Sequence, residues 1–173
     1  MEILIYGIIN SITLTLIALG FALVYGICRL PNFAHGAIYV VTGFIVWSAL
    51  HTLGLHYLLS IFLALIISTL IGAAIYQLAL IRVRGMPISE IIASYAIGLA
   101  ILEGLRWAGF RGMTYTLPTF LEGTVDISDV PVDKQRLMVV IIGVMVLLLL
   151  WAFTHHTKIG LALRGMAQDE RAA

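Results

Sequence analysis

The sequence contains very little charge. Charged side chains make up 11% of its 173 residues and hydrophobic side chains 61%, whereas an ordinary soluble domain carries about 25% charged residues. A soluble protein of this size cannot cover its surface with so few charges, so most of that surface must face lipid. The formal net charge of +1 gives no reason to expect a nucleic acid partner, because such proteins carry a basic patch or stripe.

Cysteine and the common catalytic motifs are also scarce. The single cysteine, Cys28, excludes an internal disulfide and a CxxC metal site. The sequence contains no phosphate-binding glycine loop, no GxSxG and no HExxH. The adjacent His155 and His156 are a weak metal signal, because neighbouring residues of a helix point to different sides. We therefore expect no enzyme activity, no catalytic residue, no metal site and no cofactor bound by this chain.

What the sequence does contain is a series of long apolar runs separated by polar segments. At about 20 residues a span, the chain has room for five crossings. The prediction is an all-α fold, a polytopic transmembrane helix bundle of about five spans in a single domain over residues 1–173. The alternative is that the second apolar run, 33–50, is re-entrant and does not fully cross the membrane. The predicted spans lie near residues 3–28, 33–50, 57–81, 88–105 and 137–153, with an outer loop at 106–136 and a tail at 154–173.

Basic residues set the predicted orientation, because short cytoplasmic loops of membrane proteins collect Lys and Arg. Arg82 and Arg84 have no acidic neighbour, and the tail carries Lys158 followed by two arginines. Two spans separate these segments, so both are expected on the cytoplasmic side. The loop 106–136 is then expected on the outer side.

Small residues recur four positions apart in three of the runs, a spacing that lets helix backbones approach closely in lipid. Each pair predicts a helix–helix interface, with the plain abundance of Gly and Ser in membrane helices as the alternative. The pairs are Gly7 with Ser11, Ser68 with Gly72, and Ser94 with Gly98.

Three polar features are interpreted as structural. Ser89 is placed to cap the fourth helix and Glu90 to favour its positive end. Glu103 lies three residues before Arg106, the spacing of a pair on one helix face, and a role in proton transfer is the alternative. In the outer loop, apolar and polar residues alternate over 123–132, which predicts a strand or hairpin, with an irregular loop as the alternative.

The junction between the first two runs places Asn32 and His35 beside Pro31 and Gly36. This pattern predicts a broken helix, and irregular backbone at membrane depth survives only where it is buried in protein or lines a cavity. Discontinuous helices often mark transport sites. Asn32, Phe33, His35 and Gly36 are therefore the candidate residues of a substrate pathway. A plain cytoplasmic turn between two spans is the alternative.

The tail predicts an amphipathic cytoplasmic helix. Ile159, Leu163 and Met166 recur at i, i+4 and i+7, which places them on one helical face. Such a helix either docks into a partner protein or lies on the lipid surface. Periodicity does not choose between the two.

Two separated groups of motifs resemble the LivH-type permeases, the membrane subunits of branched-chain amino acid ABC importers. The first group is Ala18-Leu19-Gly20, Val24-Tyr25-Gly26 and Asn32-Phe33-Ala34-His35-Gly36. The second, Gly160-Leu161-Ala162-Leu163-Arg164, Ala167 and Asp169-Glu170-Arg171-Ala172-Ala173, is similar to the cytoplasmic loop in which such permeases contact their ATPase. The ending Glu170-x-Ala172-Ala173 resembles the opening of that family's EAA-type motif.

This resemblance implies one half-channel of an importer, multi-pass in the cytoplasmic (inner) membrane of a bacterium or archaeon. The implied partners are a second related permease subunit, two cytoplasmic ATPase subunits that bind the ATP, and a periplasmic or extracellular substrate-binding protein. The implied substrates are leucine, isoleucine and valine, although relatives carry urea, short amides or other amino acids. The implied ATPase-coupling residues are Ile159, Gly160, Leu163, Arg164, Met166, Asp169, Glu170, Ala172 and Ala173.

Permeases of this family are considerably longer, so the chain resembles the N-terminal portion of one. A secondary transporter or channel component that uses the break at Asn32–Gly36 without an ATPase partner is the alternative function. A membrane enzyme built on the histidines is a third, and the lack of carboxylate partners counts against it. The coupling-like tail distinguishes the first function from the second.

Overall fold

The computed structural model places most of the chain in two compact units. One unit comprises Met1–Arg29 together with Pro118–Ala173, and the other comprises Leu30–Leu117. We call them the terminal unit and the central unit. The residues that the structure describes are 2–28, 31–107, 116–127, 130–158, 160–162 and 165.

Long helices form most of both units. Four of them are long and apolar enough to cross a membrane, and α2 is a shorter apolar helix. Its 17 residues lie at the lower limit of the range for a transmembrane helix. The predicted all-α, polytopic membrane fold is confirmed, whereas the single domain over 1–173 stays a prediction. The helices are α1 (Glu2–Cys28), α2 (His35–His51), α3 (Tyr57–Val83), α4 (Pro87–Leu105) and α5 (Lys134–His156).

The outward faces of the helices are apolar. On α3, for example, Leu58, Phe62 and Leu70 are each more than half exposed. Water would penalise apolar surface on this scale by about 25 cal/mol per Å², whereas hydrocarbon does not. Backbone groups bonded within each helix need no water either, which is why helices are suited to lipid.

In the central unit, α2 packs against both α3 and α4. The hydroxyls of Thr42 on α2 and Ser68 on α3 are hydrogen-bonded at 2.7 Å. A Cβ added to Gly72 would lie 4.0 Å from Ile38 Cδ1, so this face of α3 lies in contact with α2. The interface predicted from Ser68 and Gly72 is confirmed.

In the terminal unit, α1 packs against α5. Gly143 of α5 is buried, and a Cβ there would lie 2.9 Å from Leu16 Cδ1 and 3.1 Å from Ile12 Cγ2. The pair Gly7 and Ser11 does not form this interface. Both residues are exposed, and the Ser11 hydroxyl donates to the Gly7 carbonyl at 2.7 Å.

The loop predicted to lie on the outer side contains an antiparallel hairpin of β1 (Thr124–Ile127) and β2 (Val130–Asp133). Val130 and Val132 are buried with Ile9 of α1, and the Tyr6 hydroxyl donates to the Pro131 carbonyl at 2.7 Å. Alternation along β2 thus puts one face on the helices and leaves the other exposed. The predicted hairpin is confirmed, and α1 holds it in place.

The start of α4 differs from the prediction in one respect. The helix begins at Pro87, a residue favoured in the first turn because it needs no N–H partner there. The residue before it, Met86, makes no side-chain cap, so the expected capping role of Ser89 is wrong. Glu90 instead accepts a hydrogen bond from the backbone N–H of Gly85 at 2.7 Å and is 5% exposed. The prediction that Glu90 has a structural role at the start of α4 agrees with this hydrogen bond.

The far end of α4 agrees with the prediction. Glu103 and Arg106 form an ion pair of 3.4 Å in which both side chains are more than half exposed. Exposed pairs of this kind contribute only about 0–1 kcal/mol. The pair therefore adds little to the stability of the helix.

Candidate functional site

The described residues directly before α2, 31–34, form a short non-helical turn held by its own asparagine. The Asn32 side-chain oxygen accepts a hydrogen bond from the Ala34 N–H at 3.1 Å. The Asn32 carbonyl accepts another from the His35 N–H at 3.2 Å. An asparagine readily makes such turns, because its side chain imitates a backbone acceptor. The amide thus shapes the turn from which α2 begins.

A serine of α4 satisfies further backbone groups of this turn. The Ser94 hydroxyl accepts a hydrogen bond from the Phe33 N–H at 3.2 Å. It also lies 3.2 Å from the Pro31 carbonyl and 3.1 Å from that of Ile91, and its single proton can be donated to one of them at a time. Ser94 is fully buried. These backbone groups of the turn therefore find partners inside the protein, a condition that a helix break at membrane depth would have to meet.

Gly98, one turn further along α4, brings the two backbones together. A Cβ at this position would lie 3.3 Å from Ala34 Cα and 3.6 Å from the Phe33 carbonyl oxygen. Ala34 is fully buried and Ala37 is 3% exposed, so small residues line both sides of the contact. The interface predicted from Ser94 and Gly98 is confirmed. We call Pro31–Ala34 with Ser94 and Gly98 the α2–α4 junction.

The four candidate pathway residues have different environments. Asn32 and His35 are half-buried, whereas Phe33 and Gly36 are exposed. Phe33 is 49% exposed, and a Cβ at Gly36 would meet nothing within 4 Å. Backbone hydrogen bonds anchor the turn, while the Phe33 side chain remains about half exposed. Their role in a substrate pathway stays a prediction.

Sequence reasoning did not connect Ser94 with the broken segment. It marked Ser94 only as half of a small-residue pair, because the two positions are separated by more than 60 residues. A small polar residue in the middle of an apolar run was the available signal, since a buried hydroxyl needs a partner. The partner itself became visible only when the helices were packed.

The predicted coupling tail is described only in part. Gly160 is buried, and its contacts are with the last turn of α5. The other predicted coupling residues lie outside the described residues. They are Ile159, Leu163, Arg164, Met166, Asp169, Glu170, Ala172 and Ala173.

The two adjacent histidines lie at the end of α5 against one tryptophan. The His155 ring stacks on Trp151 at 5.1 Å between centroids, and its Nδ1 lies 3.0 Å from the Trp151 carbonyl. The His156 ring meets the same indole edge-on at 5.6 Å. Within the described part of the chain, no three His, Cys, Asp or Glu side chains are grouped to hold a metal ion. These histidines are thus engaged in aromatic packing.

Comparison with known proteins gives a match over almost the whole chain. Residues 3–173 match the family described as the permease component of branched-chain amino acid transport systems. The chain is 26% identical to the high-affinity branched-chain amino acid transport system permease protein BraD of Pseudomonas aeruginosa over 184 residues. It is 26% identical to the permease protein LivH of Salmonella typhimurium and 25% identical to LivH of Escherichia coli, each over 180 residues. No solved structure matches the chain.

These alignments cover this chain and its relatives to different extents. Each includes 96% of this chain but 58% of the relative. The chain therefore spans a little over half the length of the curated relatives that it matches. The matched family is one of transport permeases, and both groups of motifs that carried the resemblance fall within the matched residues.

Proposed function

Because this chain belongs to the permease family of branched-chain amino acid transport systems, we propose that it forms part of the membrane pathway of an ATP-driven amino acid importer. The match over residues 3–173 is the observation that carries the proposal. The apolar helices are suited to the membrane, and the non-helical turn at 31–34 supports the proposal because discontinuous helices often mark transport sites. The relatives are named for branched-chain amino acids, which we take as the substrate class here.

The proposed assembly contains further subunits besides this chain. A second related permease completes the pathway, two cytoplasmic ATPase subunits supply the energy, and an external binding protein delivers the substrate. The proposed location is the cytoplasmic (inner) membrane of a bacterium or archaeon. This division of labour agrees with a sequence that has no phosphate-binding loop.

The decisive experiment is reconstitution of the native complex. The permease should co-purify with an ATPase, and uptake of labelled leucine into proteoliposomes should require both ATP and the binding protein. Isoleucine and valine should compete, whereas urea should not. Uptake driven by an ion gradient without any ATPase would instead establish the secondary-transporter alternative.

The predicted topology is tested by single-cysteine labelling in a background where Cys28 is replaced. Cysteines placed at Arg84 and Lys158 should be protected from an impermeant reagent in intact cells, because basic segments are retained inside. A cysteine at Asp126 should be labelled, because the loop that carries the hairpin is predicted to lie on the outer side. Labelling at position 84 together with protection at position 126 would reverse the assignment.

The predicted pathway role of His35 is tested by substitution with an apolar residue of similar size. His35→Leu should lower uptake roughly tenfold or more, equivalent to about 1.4 kcal/mol, while the amount of protein in the membrane changes less. The reason is that a half-buried imidazole beside the turn is replaced by a group that cannot form hydrogen bonds.

The matched control is His56→Leu. It removes an exposed histidine just before α3, away from the α2–α4 junction. Uptake by this variant should remain close to that of the unaltered protein. Equal uptake by the two variants would favour a plain turn at 31–34.

A further inference from the structure

The chain folds back on itself directly after α5. The backbone leaves the helix at Thr157, where ψ is 150°, and a new helical turn starts at once with a hydrogen bond of 3.0 Å from the Leu161 N–H to the Thr157 carbonyl. We call the described residues 157, 158, 160 and 161 the elbow. It belongs to the predicted tail 154–173 and joins α5 to the rest of that tail.

One threonine serves both sides of the elbow. The Thr157 hydroxyl donates to the Phe153 carbonyl in the last turn of α5 at 2.7 Å. The same oxygen accepts a hydrogen bond from the Gly160 N–H at 3.0 Å. It therefore caps the start of the new turn, as an N-cap threonine does, while it remains bonded to the preceding helix.

Gly160 fits the elbow only because it has no side chain. A Cβ there would overlap the Phe153 carbonyl oxygen and would lie 2.6 Å from Thr154 Cα and 2.8 Å from the Thr154 carbonyl oxygen. All of these atoms belong to the backbone, so no side-chain rotation can make room. The close approach that Gly160 permits is thus to α5 of its own chain, where a purely sequence-based interpretation assigned it to a partner protein.

We propose that Gly160 and Thr157 are positioning residues that fix the direction of the coupling tail relative to α5, so that movement of an ATPase-bound tail is transmitted to this helix. The proposal rests on the proposed function of the chain. It assigns Gly160 to transmission and leaves attachment of the ATPase to the apolar face of the tail. A tail joined by a loose elbow would still bind the ATPase but would dissipate its movement.

Gly160→Ala separates this proposal from the effect of helix propensity. Alanine favours a helix over glycine by about 1 kcal/mol, so in an unconstrained tail the change should be neutral or stabilising. At the elbow it should instead push the tail away from α5. Gly165→Ala is the matched control, because Gly165 is exposed and a Cβ there meets nothing within 4 Å.

The closing experiment measures ATP hydrolysed per leucine transported by the complete complex in proteoliposomes. Gly160→Ala should retain the ATPase in pull-down yet raise this ratio by about fivefold or more, the lower end of the usual range for coupling between sites. Gly165→Ala should leave the ratio unchanged. Thr157→Val should raise it as well, and Thr157→Ser, which keeps the hydroxyl, should restore it.

The distance between spin labels at Leu148 and Leu161 reports the geometry of the elbow in the absence of any ATPase. Both positions are exposed and can carry a label. The distance distribution should shift or broaden in Gly160→Ala and should stay unchanged in Gly165→Ala. An unaltered ratio and distance in Gly160→Ala would overturn the proposal, as would complete loss of the ATPase, which would make Gly160 a contact residue. If the unaltered protein binds no ATPase, the proposed function fails, whatever the distances show.

Discussion

Gly98→Leu is expected to prevent the central unit from folding and to reduce the protein in the membrane several-fold. The nearest atom to a Cβ at this position is Ala34 Cα, at 3.3 Å, and a backbone atom cannot rotate away. Overpacking of a filled interface costs about 1–3 kcal/mol and occasionally more. The larger side chain would also separate Ser94 from the Phe33 N–H, which would leave buried polar groups without partners.

The matched control for this change lies on the same helix. A Cβ at Gly104 meets nothing within 4 Å, and the residue is exposed, so Gly104→Leu should accumulate as the unaltered protein does. The measurement is the amount and thermal stability of each variant in detergent, followed by fluorescence-detected size exclusion. Equal stability of the two leucine variants would show that the close contact at Gly98 is dispensable.

Leu163→Asp is expected to abolish association with the ATPase while leaving membrane insertion intact. The prediction follows from the sequence pattern of Ile159, Leu163 and Met166, because apolar anchors at such spacing carry the affinity of a helix seated in a groove. Loss of a central anchor typically costs about 2 kcal/mol or more, which corresponds to about 30-fold in affinity. The measurement is recovery of the ATPase in a pull-down with the permease.

Arg164→Ala provides the comparison on the same tail. A charge at the rim of an interface mainly affects orientation and association rate, so recovery of the ATPase should fall by less than with Leu163→Asp. A tail that lies on lipid predicts the reverse order, because loss of positive charge would then weaken binding to anionic headgroups. Normal recovery of the ATPase with Leu163→Asp would remove the main physical argument for a docked tail.

Much of the fold could be predicted from the sequence because lipid imposes a simple rule on it. Apolar runs long enough to cross hydrocarbon must be helical, since no water is present to bond a free backbone. The observed helix Tyr57–Val83 matches the predicted run 57–81 except at its C-terminal end, where it continues two residues further. The hairpin was predictable from the alternation of Val125, Ile127 and Val130 with polar residues. The burial of Val132 against α1 became visible only in the structure.

Local signals gave wrong or incomplete answers at one helix start and at helix–helix contacts, where the partner lies far along the chain. Ser89 has the right chemistry for a cap, yet Pro87 starts α4 two residues earlier and Glu90 bonds to Gly85 instead. Gly7 and Gly143 are both glycines in apolar helices, but of the two, only Gly143 has a neighbouring helix within van der Waals distance among the described residues. A spacing rule identifies residues able to form an interface and does not say which helix will be there.

The sequence by itself determined that the protein is a multi-helix membrane protein of the branched-chain amino acid permease family, because composition, run length and local motifs are properties of consecutive residues. Tertiary structure alone decided that Ser94 completes the turn before α2 and that Gly160 lies against α5. The first depends on a side-chain hydroxyl that reaches backbone groups more than 60 residues away, and the second on two backbone segments in close contact. Such distances follow from how the chain packs. The chain order fixes which groups must be satisfied, and the packing fixes which residues satisfy them.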